Sequence, residues 1–195
     1  MNYPLKNDKD RLDQELDAIL APLGVEQKET AEQQHAMHIM CLYSNTDATL
    51  WYELERYLAL LKHRYHSMLY WHSHRITNHP SLCADPWVAE RIKRDIARAD
   101  IVLLGLSVDL ALCLLDHGRL TYQQLIERTE DPADGPEILP ILFRETPWQD
   151  EQLPLRPTNP ARPIARSRNR DQAYMQVSSA LEAAIERCKE RRATN

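Results

Sequence analysis

Hydrophobic positions along this chain follow two spacings, one suited to helices and one to buried strands. Residues 8–23 carry Leu12, Leu16, Ile19, Leu20 and Leu23, which fall on one face of a helix. Pro22 and Gly24 end that stripe, and the polar stretch Glu26–Gln34 reads as a linker. Met37–Tyr43 is a short apolar run closed by Ser44, Asn45, Thr46 and Asp47, all turn formers, so it predicts a first strand. Leu50, Leu54, Tyr57, Leu58 and Leu61 return to helical spacing. Met68–Trp71 is a short candidate for the second strand, followed by a loop from His74 to Asp85.

Asp85-Pro86 suits a helix start, since Asp can cap free amides and Pro fits the first helical position. The helix it predicts, Pro86 to Arg98, places Val88, Ile92 and Ile96 every four residues. Ile101–Leu106 is then almost continuously apolar, the pattern of a strand covered on both faces in a parallel sheet. Ile138–Phe143 repeats it, and Pro163–Ala165 is a candidate for a short last strand. Between residues 110 and 136, helical and loop readings compete. Asp171 caps a final helix carrying Tyr174, Val177, Leu181, Ile185 and Cys188, with Arg187, Lys189, Arg191 and Arg192 at its end, where cations suit the helix dipole. Helices alternating with strands predict right-handed crossovers and an α/β, doubly wound sheet. The domain division that follows is an N-terminal helix and linker (1–34), an α/β domain (35–190) and a tail (191–195).

Composition narrows the function classes. The 195 residues are 43% hydrophobic and 27% charged, a globular balance. A net charge of −5 gives no overall attraction to nucleic acid or an anionic membrane, and neither partner is expected. No apolar run is long enough to span a membrane, and MNYPLKNDKD lacks a signal-peptide pattern, so the expected location is cytoplasmic. Cys41, Cys83, Cys113 and Cys188 form no C-x-x-C pair, and reduced cysteines acting as small hydrophobes fit that location.

In a doubly wound sheet, ligands bind at the loops that follow the carboxyl ends of the strands. Those loops are Tyr43–Asp47, Trp71–Asp85, Ser107–Asp116 and Arg144–Trp148. Two further groupings carry chemistry. His63, His66, His72, His74 and His79 lie close to Cys83, and His72 and His74 share one face of an extended segment, a geometry zinc accepts. No bracketing metal motif accompanies them, so solvated loop histidines are the plainer reading and no metal is assigned. Arg162, Arg166, Arg168 and Arg170 can dock a phosphate or form a solvated positive face.

The order of these segments resembles one family. Tyr43-Ser44-Asn45-Thr46-Asp47 ahead of an amphipathic helix resembles the first strand and loop of bacterial Toll/interleukin-1 receptor (TIR) domains. Trp71-His72-Ser73-His74-Arg75-Ile76 is similar to the end of that family's second strand and the start of its BB loop. Trp87, Ile92, Ile96 and Ala99-Asp100-Ile101-Val102-Leu103-Leu104, with Ser107 and Asp109, are similar to its third-strand region. Ile138-Leu139-Pro140-Ile141-Leu142 with Trp148 resembles the fourth, and Asn169-Arg170-Asp171-Gln172-Ala173-Tyr174 with Val177 the start of the last helix. The likeness spans about residues 36–187.

That resemblance implies a flavodoxin-like TIR fold, with a central parallel five-stranded sheet flanked by helices and an extra N-terminal helix. It also implies bacterial immune signalling, as in antiphage defence, by self-association through TIR surfaces or by binding a nucleotide signal. A neighbouring-gene effector or sensor is a further implied partner. Some members cleave NAD+ between nicotinamide and ribose, so NAD+ is the implied substrate or ligand, with no permanently bound cofactor. The implied nucleotide-binding residues are Tyr43, Ser44, Asp47, Trp71, Arg75 and Ser107; the implied assembly residues are Arg75, Ile76 and Trp87. The family's catalytic glutamate has no counterpart here: counting from Ser107 reaches Leu120, counting from Cys113 reaches His117, and no glutamate lies between Glu90 and Glu127. Asp116, with His117 beside it, is the substitute. It has the charge to stabilise an oxocarbenium-like state but is one methylene shorter. The expectation is therefore a TIR-like protein with a degenerate catalytic helix, and the alternative an NAD+ glycohydrolase or cyclase using Asp116.

Overall fold

A computed structural model describes residues 36–66, 68–76, 92, 94–116, 135–146, 157–159 and 162–194, the side chains of 113–116 excepted. The four apolar segments form strands β1 (Met37–Ser44), β2 (Leu69–Ile76), β3 (Ile101–Leu106) and β4 (Glu137–Leu142). All neighbours run parallel, in the order β2-β1-β3-β4. The helices are α1 (Ala48–Arg64), α2 (Val108–Asp116) and α3 (Arg170–Thr194), and residues 94–98 are also helical.

Side chains alternate across a strand, so an apolar run feeds two cores. Ile39, Cys41, Leu103 and Ile141 pack with Leu54 and Leu58 of α1 and Tyr174, Val177 and Leu181 of α3. Met40, Leu42, Val102 and Leu104 pack on the opposite side with Ile92, Ile96, Leu110 and Ala111. The layers are thus helix, sheet, helix, as the alternation of elements predicts.

The far end of α3 is tied to the amino edge of the sheet. Asp100 accepts the His38 amide at 2.8 Å, and Arg192 donates to both Asp100 oxygens at 2.9 and 2.8 Å and to the Ala36 carbonyl at 3.3 Å. Residues 191–194, expected as a tail, are therefore the working end of a helix.

Two expectations about strands change. β2 continues through Ile76, pairing residue by residue from Met37↔Leu69 to Ser44↔Ile76, so His74–Ile76 is strand where the sequence suggested a loop. The segment alternates the more covered His72, His74 and Ile76 with exposed Ser73 and Arg75, the signature of an edge strand with one wetter face.

The sheet has four strands among the described residues, and Ile164–Arg166 is a 3-10 turn rather than the fifth strand expected over Pro163–Ala165. The cause lies in the edge it meets. Pro140 has no amide to offer an outer neighbour. Thr158 N donates to the Pro140 carbonyl at 2.8 Å, the Asn159 side chain takes both backbone groups of Leu142, and Ala165 N donates to Phe143 O at 3.0 Å. The edge is sealed by a loop. The helix over 8–23, its linker, the loop beyond Ile76, the Asp85-Pro86 helix start, Trp87, His117 and Trp148 lie outside the described residues.

Candidate functional site

The strand order places the topological switch point between β1 and β3. The chain leaves β1 toward α1 on one face and leaves β3 toward α2 on the other, which opens a crevice at the carboxyl edge. Ser44 and Asp47 follow β1, Ser107 follows β3, and Arg144 follows β4. Ser44 Oγ accepts Thr46 N at 3.3 Å and so starts the 3-10 turn Asn45–Asp47. Ser107 Oγ accepts Leu110 N at 3.2 Å and starts α2. Both serines are fully buried and spend their oxygens on helix starts.

Asp47 differs. Its side chain is 0% exposed, yet only Oδ1 is served, accepting Arg144 Nε at 2.6 Å. Arg144 Nη2 donates to Thr46 O at 3.3 Å, and its own side chain is 44% exposed. Among the described residues Asp47 Oδ2 has no hydrogen-bond partner, nor does Thr146 Oγ1 two residues beyond Arg144. A buried acceptor left open costs about 1–3 kcal/mol, and such atoms concentrate where a ligand or water supplies the missing bond. The edge thus pairs a guanidinium half in solvent with a fully buried carboxylate whose second oxygen has no partner among the described residues. The exposed guanidinium suits a ligand with anionic oxygens.

The other expected residues take different places. Tyr43 is a core residue, stacked on Trp51 with ring centroids 4.7 Å apart, and burial pushes its phenol up to about 12. Trp71 lies mid-strand in β2 under the ammonium of Lys62, 4.7 Å from its ring. Arg75 is paired in register with Tyr43 and is exposed; Ile76, the last residue of β2, packs beneath the second core. Asp116 is the last residue of α2. Eight residues beyond Val108, it stands about 12 Å of helical rise from the edge where α2 begins.

Arg144 was within a loop the sequence singled out, but not among its candidate residues. An arginine directly after an apolar strand was its one visible signal. Half of the Arg162–Arg170 run is committed: Arg166 pairs with Glu145 at 2.6 Å and Arg170 with Glu53 at 3.3 Å. An open depression of about 690 Å³ lies elsewhere, along the first turns of α3 near Asp171 and Met175, and includes none of the edge groups. Among the described residues no three His, Cys, Asp or Glu side chains converge as metal ligands. Comparisons of the chain with protein-family models, with curated proteins and with solved structures return no match.

Proposed function

We propose that this chain is a TIR-like signalling protein of bacterial defence that binds a nucleotide-derived signal at the carboxyl edge of its sheet and acts through self-association. The observation that carries the reading is Asp47, a fully buried carboxylate with one oxygen held by Arg144 and the other open. A phosphate accepts from the exposed part of Arg144, which the buried Asp47 carboxylate holds in place. The parallel order β2-β1-β3-β4 supports the reading, because it puts this pair beside the switch point where α/β sheets take their ligands.

Binding is favoured over cleavage because Asp116 ends α2, about 12 Å along the helix from the edge. Titration calorimetry of the full chain with ADP-ribose and with NAD+ tests the reading. Saturable binding that Asp47→Asn weakens at least about tenfold supports it. Equal affinity in wild type and Asp47→Asn, or no binding to either compound, overturns it. Nicotinamide release from NAD+ that Asp116→Ala abolishes would establish the glycohydrolase instead.

A further inference from the structure

The two outer strands of the sheet end differently. β4 is sealed by Pro140, Thr158 and Asn159, whereas β2 has no outer neighbour among the described residues. Met37 N donates to Met68 O at 2.7 Å, which fixes how β2 is turned. Backbone groups alternate in direction along a parallel pair, so those of Tyr70, His72 and His74 address β1, while those of Leu69, Trp71, Ser73 and Arg75 face outward. Leu69 N is spent on Tyr65 O at 3.1 Å. The open edge therefore presents both backbone groups of Trp71, Ser73 and Arg75. The strand, LYWHSHRI, has no proline and no acidic residue, and it pairs with β1 without a bulge. Most devices that keep a free edge from pairing are missing here.

We propose that β2 pairs with β2 of a second copy, antiparallel and with Ser73 on the two-fold axis, so that one sheet runs through both chains. Residues opposite each other must share a face, so the axis passes through a residue and not between two. With Ser73 on the axis, Trp71 of one copy meets Arg75 of the other, and the three outward residues of each exchange about six hydrogen bonds with none left over. An axis at His72 would set Arg75 against Leu69, whose amide is engaged; one at His74 would leave Trp71 beyond the end of the facing strand. The side chains agree with the Ser73 register. Trp71 packs on the α1 side, and Arg75 shares that side through its partner Tyr43, so the guanidinium of one copy meets the indole of the other. Lys62 also covers that indole, and Glu55, bonded to Lys62 at 3.2 Å, offsets its charge. On the opposite face Tyr70 meets Ile76, an aromatic and β-branched pair. A second copy is the occupant because this edge complements itself in length, hydrogen bonds and side chains. The surface rests on the self-association in the function proposed above and is independent of the nucleotide.

Sedimentation velocity of the full chain from about 5 to 500 μM, with and without ADP-ribose, reads the oligomeric state. A dimer is expected. Ser73 is exposed, so Ser73→Glu and Ser73→Lys each set two like charges face to face across the axis and should weaken the dimer at least about tenfold. Mixing the two variants should restore it, which also shows that both fold. Ser73→Ala is expected to dimerise as wild type does. A chain that stays monomeric throughout, a dimer that neither charged variant weakens, or a loss that mixing does not rescue overturns the surface. In the second case self-association stands and only this edge falls. A dimer with the charge-swap rescue but no affinity for ADP-ribose keeps the surface and overturns the nucleotide reading instead.

Discussion

Asn159 stands beside Leu142 as a one-residue strand: its Oδ1 accepts the Leu142 amide at 2.8 Å and its Nδ2 donates to the Leu142 carbonyl at 3.0 Å. The asparagine is 2% exposed, so water cannot readily take over either bond. Asn159→Ala should leave both backbone groups without partners, a loss of about 2–4 kcal/mol. Asn159→Asp keeps an acceptor without the donor and should fall between the two. Urea unfolding curves give the ranking. The alanine variant should also aggregate more readily, because an opened edge is a template for pairing.

Gly105 fills a different structural need. A Cβ placed there would lie 2.6 and 2.8 Å from Phe143 Cε2 and Cδ2 and 3.1 Å from Tyr43 Cβ. Phe143 is fully buried and meets Trp51 edge-on, with centroids 6.4 Å apart, so its ring has little room to yield. Gly105→Ala should destabilise the domain by about 1–3 kcal/mol through overpacking. The melting temperature should fall while Phe143→Leu in the same background restores part of the loss.

The Asp47–Arg144 pair should respond unequally to its two obvious substitutions. Arg144→Met removes the cation and leaves a fully buried carboxylate unpaired, whereas Asp47→Asn removes the charge that needed a partner. Arg144→Met is therefore expected to be the more destabilising, by at least about 1 kcal/mol after allowing for the solvent that screens the half-exposed guanidinium. In a double-mutant cycle, adding Asp47→Asn to Arg144→Met should recover stability. A strictly additive cycle would mean that the pair is not coupled.

Three phenol–carboxylate bonds join α1 and the segment after it to α3: Tyr57 to Asp171, Tyr65 to Glu186 at 2.9 Å and Tyr174 to Glu53 at 2.8 Å. The accepting carboxylates raise the phenols of Tyr57 and Tyr65, and burial followed by the Glu53 bond raises that of Tyr174. A raised phenol stabilises the fold fully below the unfolded value of about 10, and that contribution is lost as pH climbs through the folded values. Stability should thus decline above about pH 10, and Tyr174→Phe should flatten the decline. Thermal unfolding between pH 8 and 11 measures it.

Cys41 should be inert to alkylation in the native protein. It is fully buried in the middle of β1, and desolvation pushes its thiol up to about 12, leaving almost no thiolate at pH 8. Mass spectrometry after a brief iodoacetamide pulse should find Cys41 unmodified in buffer and modified in denaturant.

What the sequence made legible follows from range. Ile101–Leu106 could be read as a central strand because continuous apolar character needs two covered faces, and both cores supply them. His74–Ile76 could not, because an edge strand with a wet side carries polar alternates that look like a loop. Pro163–Ala165 looked like a strand on local apolar character alone. Its fate was decided by Pro140 and Asn159, which act on an edge the segment itself does not encode. In the site, Ser44 and Asp47 announced themselves as turn formers, while the arginine that pairs with Asp47 is 97 residues away, and its place directly after an apolar strand was its one local signal.

The clamp between Arg192 and the Ala36 carbonyl joins groups 156 residues apart, and α3 covers the sheet face carrying Ile39 and Cys41. Emerging from the ribosome, the first strand must therefore wait for the final helix before that face is dry. Sequence-distant closure of this kind slows folding and prolongs the exposure of apolar surface. Removing α3 should then cost more than its own contacts. It would leave a nascent sheet with one face covered by α1 alone, a natural client for a chaperone.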